Sequence, residues 1–357
     1  MTLTGRPAIR FGAGPDRLNI IPGSRIRGAL DFSFGGNDRV DIQWNDEVSS
    51  LWNFTGFDTG AGDTISVDTP YPTVQTNSGV AILNPTGIAS AATALADLTG
   101  RLHRTVHHQM MRPSRKNGGR HRTQLPIQVA STAAMIPVNP ESSSWDLWVQ
   151  GFGGRSQRDD ERDTLGYDLL SWGVIGGGTL SPSSNVQLGL FGGIAGSETT
   201  VEKNAHTLYN LTGFVEMFSQ IGIEHWFLQS SLAGGITNTD SKRLVLSNHA
   251  IGGSQRARAE HESGFISTRI TGGGHVPEIG HGFSLRPSIS VGYATEWIPD
   301  YQESGSSADL MVDDRIVQII NGRVERPRYS HSTMTPFAMR SEVAGLVEHK
   351  SETRMLP

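Results

Sequence analysis

The residues of this chain that could carry chemistry form no recognised catalytic or metal-binding pattern. Its 357 residues include no cysteine, which excludes disulfides, thiolate metal sites and cysteine nucleophiles. Neither a G-x-S-x-G nucleophile elbow nor a G-x-x-x-x-G-K-[ST] phosphate loop occurs. His261 and Glu262 lack the second histidine of an H-E-x-x-H zinc motif. The sequence therefore predicts no enzyme activity, no catalytic residue, no cofactor and no metal site.

Two remaining polar clusters have simpler explanations. His107 and His108 are adjacent, so a helix places their side chains about 100° apart, which is poor geometry for one metal ion. A second cluster mixes both signs of charge and is typical of a solvated loop between strands rather than a general acid/base pair. It contains Arg155, Arg158, Asp159, Asp160, Glu161, Arg162 and Asp163.

The composition favours short strands and turns. The chain has 43 glycines, 18% charged residues, 36% hydrophobic residues and a net charge of −5. This mild acidity does not suggest a nucleic-acid partner. No run of about 18 apolar residues predicts a transmembrane helix, and the first six residues contain no apolar run of the kind found in secretory signals.

Residues 1–85 contain a weak repeat that predicts a β-solenoid. Asp16, Asp38 and Asp63 lie 22 and 25 residues apart, each beside glycines and each followed by a short alternating strand. Solenoid coils bury their apolar faces only by stacking, so three coils are expected to be the end of a longer stack. Calcium binding by glycine-aspartate repeats is an alternative, but those repeats recur every nine residues. Aspartate and glycine as turn formers explain the pattern more simply.

Residues 86–112 are predicted to form a helix with one narrow apolar stripe. The stripe consists of Leu95, Leu98, Leu102, Val106 and Met110, at spacings of three and four residues. Arg101 and Arg104 lie off the stripe. Because most of its circumference is polar, this helix suits a wet or polar enclosure better than a dry core.

Residues 113–140 are predicted to be a flexible basic linker. Lys and Arg residues crowd a stretch with Gly, Ser and Pro and no periodicity. A nucleic-acid or lipopolysaccharide contact is conceivable for such a segment, and a solvated tether explains it more simply.

Residues 141–357 change character and predict long amphipathic strands. In 206–218, for example, Tyr209, Leu211, Val215 and Met217 alternate with Asn210, Thr212, Phe214 and Glu216. Charges keep to one face of each such strand, as in a membrane barrel, where a mid-membrane Lys or Arg facing lipid costs roughly 2–4 kcal/mol. The predicted lumen-facing charges are Glu216, Arg286, Arg340 and Glu342. Aromatic residues near strand ends are predicted to form interfacial girdles, namely Trp145, Trp148, Tyr167, Trp172, Trp226, Tyr293 and Trp297.

The start of this region contains three strand segments rich in glycine, at 145–154, 166–173 and 186–196. With these segments it resembles the C-terminal translocator domain of bacterial autotransporters, the proteins of type V secretion. Trp145-Asp-Leu-Trp148-Val-Gln-Gly-Phe-Gly-Gly154 is similar to the first barrel strand of the family. Gly166-Tyr167-Asp168 with Trp172-Gly173 resembles its second strand, and Val186 to Gly196 resembles its third.

The resemblance implies an all-β fold, a twelve-stranded antiparallel outer-membrane barrel with a helix threaded through its pore and a β-helical passenger outside the cell. Residues 86–112 would then lie in the lumen, with their basic side chains facing inward groups such as Glu216. The implied function is export and anchoring of the passenger, without catalysis. The implied partners are outer-membrane lipid, the barrel-assembly machinery and periplasmic chaperones.

Two features depart from the family pattern. Family members end in a strand that closes with an aromatic residue, whereas this chain ends Thr353-Arg-Met-Leu-Pro357. Only about nine strand candidates are recognisable, so residues 141–357 are expected to be an incomplete barrel with a truncated C-terminus. No Asn-Asn pair occurs, so the self-cleavage of some relatives is not expected.

Two alternatives remain open from the sequence. The barrel could be only the anchor of a surface adhesin or structural protein. The chain could instead be a soluble secreted β-solenoid module, which would partition into water without detergent. The target of the passenger cannot be read from these residues.

Overall fold

The computed structural model describes residues 7–45, 48–110, 145–159, 165–274, 283–285, 287–330, 337–348 and 353–355. Short 3₁₀ turns lie at Thr59–Ala61, Glu202–Asn204 and Ile251–Gly253. The regular elements, in chain order, are β1 (Ile9–Arg10), β2 (Arg17–Ile20), β3 (Leu30–Asp31), β4 (Arg39–Gln43), β5 (Ser49–Thr55), β6 (Thr64–Asp68), β7 (Thr73–Thr76), β8 (Gly79–Ile82), α1 (Thr86–Met110), β9 (Trp145–Arg158), β10 (Tyr167–Ser183), β11 (Val186–Val201), β12 (His206–Ile223), β13 (Trp226–Ser247), β14 (Ser254–Gly274), β15 (Phe283–Leu285), β16 (Ser288–Ile298), β17 (Tyr301–Gln302), β18 (Leu310–Val312), β19 (Arg315–Ser330), β20 (Phe337–Glu348) and β21 (Thr353–Met355).

The N-terminal strands stack as parallel coils and form a solenoid stub. β2, β4 and β6 pair in parallel, and so do β1, β3 and β5. The register places the predicted strand pairs Leu18/Ile20, Val40/Ile42 and Ile65/Val67 directly above one another. Aromatic side chains fill the stub, with Phe32 stacked on Phe11 and Trp44 against Trp52.

The repeated aspartates join successive coils of the stub. Asp38 Oδ1 accepts a hydrogen bond from the Asp16 N–H at 2.8 Å, and Asp63 Oδ1 accepts one from the Asp38 N–H at 2.9 Å. Asp63 Oδ2 also accepts from the Asp58 N–H at 2.7 Å. These carboxylates therefore satisfy backbone donors, and no group of three metal-ligating side chains occurs among the described residues.

The last coil of the stub is joined to the large sheet. β5 pairs antiparallel with β8 and, through Ser49–Leu51, in parallel with Val245–Ser247 of β13. Asn248, just beyond β13, accepts from the Asn53 N–H at 2.9 Å and donates to the Asn53 carbonyl at 2.8 Å. The stub thus continues the protruding end of β13.

α1 begins at Thr86, whose N–H is capped by the Asn84 side chain at 2.9 Å. The described part of α1 runs to Met110, and the predicted boundary at residue 112 lies outside the described residues. Among the described residues, no helix has the length and apolar character that a transmembrane helix needs.

The long strands form one continuous antiparallel meander that curls around α1. Its order is β9-β10-β11-β12-β13-β14-β16-β19-β20, and β15 extends β16 in the same register against β19. In the described part of the chain this is nine strand positions, with no pairing between β9 and β20. The predicted all-β class with one helix is therefore confirmed.

The outer face of the meander carries an apolar band with a sharp upper limit. On β13 the outward positions carry Trp226, Leu228, Ser230, Leu232, Gly234 and Ile236, and above them come Asn238, Asp240 and Lys242. β14 changes at the same level, from Ile266 and Gly264 to Glu262 and Glu260. β13 and β14 therefore rise well beyond the band, toward the stub.

Candidate functional site: the helix-filled interior of the sheet

The interior site begins with apolar contacts between α1 and the strands. Leu95 and Leu102 are buried in one cluster with inward-facing residues of the meander. That cluster includes Trp148, Ile175, Phe191, Phe214, Phe218 and Phe265. Large aromatic side chains thus narrow the interior around the helix.

A buried polar group fixes the middle of α1. His103 Nδ1 lies 3.1 Å from Glu216 Oε1 and 2.8 Å from Ser231 Oγ. Its Nε2 lies 3.3 Å from Ser267 Oγ, so β12, β13 and β14 all contact this imidazole. Glu216 Oε2 is buried and has no hydrogen-bond partner among the described residues.

One turn further along α1, His107 makes an equivalent contact. Its Nδ1 lies 2.8 Å from Gln229 Oε1, and the Gln229 amide donates to Gln220 Oε1 at 2.6 Å. Ser231 and Gln229 are two residues apart on one face of β13. Two strand residues cover about 6.6 Å, or about 5 Å along a barrel axis at the usual tilt, which matches the 5.4 Å helical pitch.

The arginine nearest the middle of α1 is held by its own helix. Arg101 pairs with Asp97 at 2.7 Å, one turn earlier, and Ser171 of β10 donates to the same carboxylate at 2.9 Å. Gly154 of β9 lies beside the guanidinium, where a Cβ would come within 2.3 Å of Arg101 Nη1.

The N-terminal end of α1 contacts three segments of the wall. A Cβ on Gly87 would lie 2.0 Å from His206 Nδ1, and His206 Nε2 is 2.7 Å from Ser241 Oγ. Arg315 donates to the Ile88 carbonyl at 3.2 Å, and the Leu165 N–H donates to Thr86 Oγ1 at 3.3 Å.

A folded loop, residues 299–314, covers this end of the interior. Arg243 of β13 forms a buried, bidentate pair with Glu303, with a 3.0 Å contact from Nε, and also donates to the Ala308 carbonyl at 2.7 Å. Leu310 and Val312 of the loop pack with Leu83 and Ile88 at the start of α1. The loop therefore contacts both the wall and the helix.

Outside the apolar band, the groups with shifted pKa values include Asp31 of the stub and Tyr301 of the loop. Hydrogen bonds from Ser33 lower the pKa of Asp31 in the stub, and Arg10 adds to this effect. Burial raises the pKa of Tyr301 in the loop, where its ring stacks on His261 at 4.3 Å.

The sequence-predicted helix and lumen residues are distributed as follows. Leu95 and Leu102 are buried, and Leu98, Arg101 and Arg104 are half-buried. Glu216 faces the interior. Arg340 and Glu342 lie on β20, but their side chains, those of Val106 and Met110, and the whole of Arg286 lie outside the described residues.

Five of the seven predicted interface aromatics face outward, namely Trp145, Trp172, Trp226, Tyr293 and Trp297. Trp148 and Tyr167 face inward instead, each 8% exposed, so their assignment to the interface was wrong. Strand alternation is the reason, because Leu147 and Val149 take the outward positions around Trp148. Trp148 packs against Phe191, with ring centroids 5.4 Å apart.

Sequence reasoning missed His103, Gly87 and His206. The spacing of His103 and His107, one helical turn apart on a face next to the apolar stripe, was the available signal for a polar face. Nothing in the sequence pairs Gly87 with His206, because the contact joins segments 119 residues apart (206 − 87).

Comparisons with known proteins find a matching family and a similar solved structure. A family model described as the autotransporter beta-domain matches residues 147–325. A solved structure, the translocator domain of autotransporter NalP from Neisseria meningitidis, is similar at 14% identity and a TM-score of 0.46, covering 73% of this chain and 85% of that one. No curated protein sequence matches this chain significantly.

Proposed function

The chain belongs to the autotransporter β-domain family and is an outer-membrane translocator domain, and from this premise we propose that it exports and then anchors its own N-terminal segment. In this proposal residues 1–85 are the end of the passenger, residues 86–112 are the pore helix, residues 113–140 are a linker and residues 141–357 form the barrel. The passenger lies on the cell surface.

The position of α1 inside the curled sheet is the observation that carries the proposal. Gly87 lies beside His206 and Ser241 at one end, and His107 lies beside Gln229 at the other. The 20 helical residues from Gly87 to His107 cover about 30 Å. The 12 strand residues from Gln229 to Ser241 cover about 40 Å, or about 30 Å along the axis at the usual tilt. The helix thus has the length of a bilayer core and runs alongside the strands from the level of Gln229 to that of Ser241.

The outward surface supports a membrane location over the soluble alternative. The apolar band covers β13 from Trp226 to Ile236, a segment of 11 residues (236 − 226 + 1). A tilted strand needs about this length to cross a bilayer. Trp226 and Trp172 lie near opposite limits of the apolar band, as interfacial aromatics do. The proposed partners are outer-membrane lipid, the barrel-assembly machinery and periplasmic chaperones.

The first experiment is semi-native electrophoresis of the chain refolded in detergent. A folded barrel-type sheet should migrate differently before and after boiling. The same chain, produced in cells with a cleavable secretory signal, should expose its stub to protease added outside intact cells. A monodisperse protein in detergent-free buffer without heat-dependent migration contradicts the membrane assignment. A heat-modifiable protein whose stub stays protected in intact cells contradicts export.

A further inference from the structure

We infer that Gly87 of α1 and His206 of β12 form a registration point, here called the Gly87–His206 notch, that stops the helix at one depth in the pore. The inference rests on the proposed export function and assigns both residues a positioning role at its last step.

The Gly87 backbone lies so close to the His206 ring that no residue with a Cβ fits at position 87 without a shift of the neighbouring atoms. A Cβ added to Gly87 would lie 2.0 Å from Nδ1, 2.3 Å from Cγ and 2.7 Å from Cβ of His206. The imidazole is not a flexible end that can swing aside. It is 4% exposed, and its Nε2 is held by Ser241 Oγ at 2.7 Å.

Only one register of α1 presents a glycine to His206. One turn away along α1, the corresponding positions are Ser90 and Ala91, both of which carry a Cβ. The other glycine of the helix, Gly100, is 13 residues further on (100 − 87). It therefore lies about 20 Å away and on a different face, since each residue rotates the helix by about 100°.

The neighbouring contacts reinforce the same register. Arg315 holds the Ile88 carbonyl, and the Leu165 N–H donates to Thr86. In the same register, His103 reaches Glu216 and His107 reaches Gln229. The steric contact at Gly87 and these hydrogen bonds therefore favour the same position of α1 along the pore.

The notch opposes displacement of the seated helix toward the stub. If α1 were displaced by one turn in that direction, Ala91 would take the place of Gly87 on this face and meet His206. The Cβ of Ala91 would then meet the imidazole, so the folded helix stops with Gly87 in place. This stop also sets the stub at the height where β5 meets β13.

Disulfide trapping tests the notch directly, because the chain contains no cysteine. The pair H107C/Q229C reports the native seat, and H103C/Q229C reports a helix held one turn lower. We expect G87A to reduce native cross-linking at least tenfold and to increase the lower cross-link. Adding H206A to G87A should return the native cross-link to at least half of its original yield.

The matched control is G100A on the same helix. A Cβ at Gly100 meets only Arg104 Nη2 at 4.0 Å, so this variant should cross-link like the parent chain. Since alanine favours helix over glycine, a loss confined to G87A reports the contact with His206 rather than helix formation.

Each outcome decides the inference. Native cross-linking in G87A equal to that of the parent overturns it, and so does a G87A/H206A double variant that recovers nothing. If G87A does not fold by heat-modifiability, recovery of folding in the double variant supports the same steric contact. Protease access to the stub is measured separately in the parent chain. If export fails, the cross-linking yields still report the position of α1.

Discussion

His103 of α1 and Glu216 of β12 face each other across the interior, with Nδ1 and Oε1 3.1 Å apart and both side chains shielded from solvent. This contact joins the pore helix to the wall at mid-depth. Because a buried carboxylate is costly without a partner, it makes the seated helix part of the stability of the barrel.

Removing the imidazole should therefore destabilise the folded chain. H103A leaves Glu216 without its contact from the helix, and we expect a loss of roughly 1–3 kcal/mol in the free energy of unfolding. The measurement is the urea midpoint of the heat-modifiable form in vesicles. H103A/E216Q should recover part of the loss because the amide is uncharged, and H249A, at an exposed histidine, should have no effect. An H103A midpoint equal to that of the parent would contradict this role.

If the apolar band faces lipid, the destabilisation caused by an arginine on the outer face should depend on its depth in the band. Val215 and Ile223 are both on the outer face of β12 and both 64% exposed. V215R, near the middle of the band, should cost roughly 2–4 kcal/mol, whereas I223R, near its lower limit, should cost roughly 0–1 kcal/mol. The folded fraction in vesicles at increasing urea measures both. Equal small effects would indicate a water-exposed surface.

Asn248 should control the attachment of the stub to the sheet. N248A removes two hydrogen bonds to the Asn53 backbone, worth about 1 kcal/mol each. We expect protease to release the stub roughly 30-fold faster, since 1.4 kcal/mol corresponds to a factor of ten. N19A, on an exposed stub position, is the control. Unchanged cleavage in N248A would mean that β5 and β13 hold the stub without this side chain.

The hydrogen bonds of the repeated aspartates Asp38 and Asp63 should be essential to the folding of the stub, and they should not require a metal ion. D63A leaves the N–H groups of Asp38 and Asp58 without their acceptors, at roughly 1–3 kcal/mol each. The stub should become protease-sensitive, whereas D68A, on an exposed position, should leave it resistant. EDTA should change neither chain. Loss of resistance in EDTA, restored by calcium, would instead support a calcium site.

The buried Arg243–Glu303 pair should keep loop 299–314 closed. E303A leaves the guanidinium buried without its anion, which costs roughly 3–5 kcal/mol. Proteolysis inside the loop should accelerate strongly in E303A and return toward the parent rate in R243M/E303L, where both charges are gone. S304A is the control, because it removes a hydroxyl at an exposed position of the loop. Equal rates in E303A and S304A would show that apolar packing alone holds the loop.

The features that could be predicted from the sequence are those encoded by residues close together along the chain. The alternation on β12 separates Leu211 and Val215 from Thr212 and Glu216, and the structure places these pairs on opposite faces. The three aspartates could be found because each coil repeats the same turn. In each case one short segment carries the whole signal.

Features that depend on two distant segments were not predictable in this way. The parallel pairing of β5 with β13 joins residues about 200 positions apart, and no periodicity records it. The inward turn of Trp148 depends on which of two alternating faces becomes the interior, and an aromatic residue suits either face. The partner of Glu216 was expected to be basic, and it is the imidazole of His103 rather than an arginine of the helix.

Among the residues that the structure describes, the meander has an odd number of strand positions, and this parity determines how its edges can meet. Each neighbour in the meander runs opposite to the last, so β9 and β20 point in the same direction. A direct seam between them would be parallel, with slanted hydrogen bonds and slightly less stability per residue. Three further strands, enough for the twelve that the family resemblance implies, would change the parity and make every contact in the ring antiparallel.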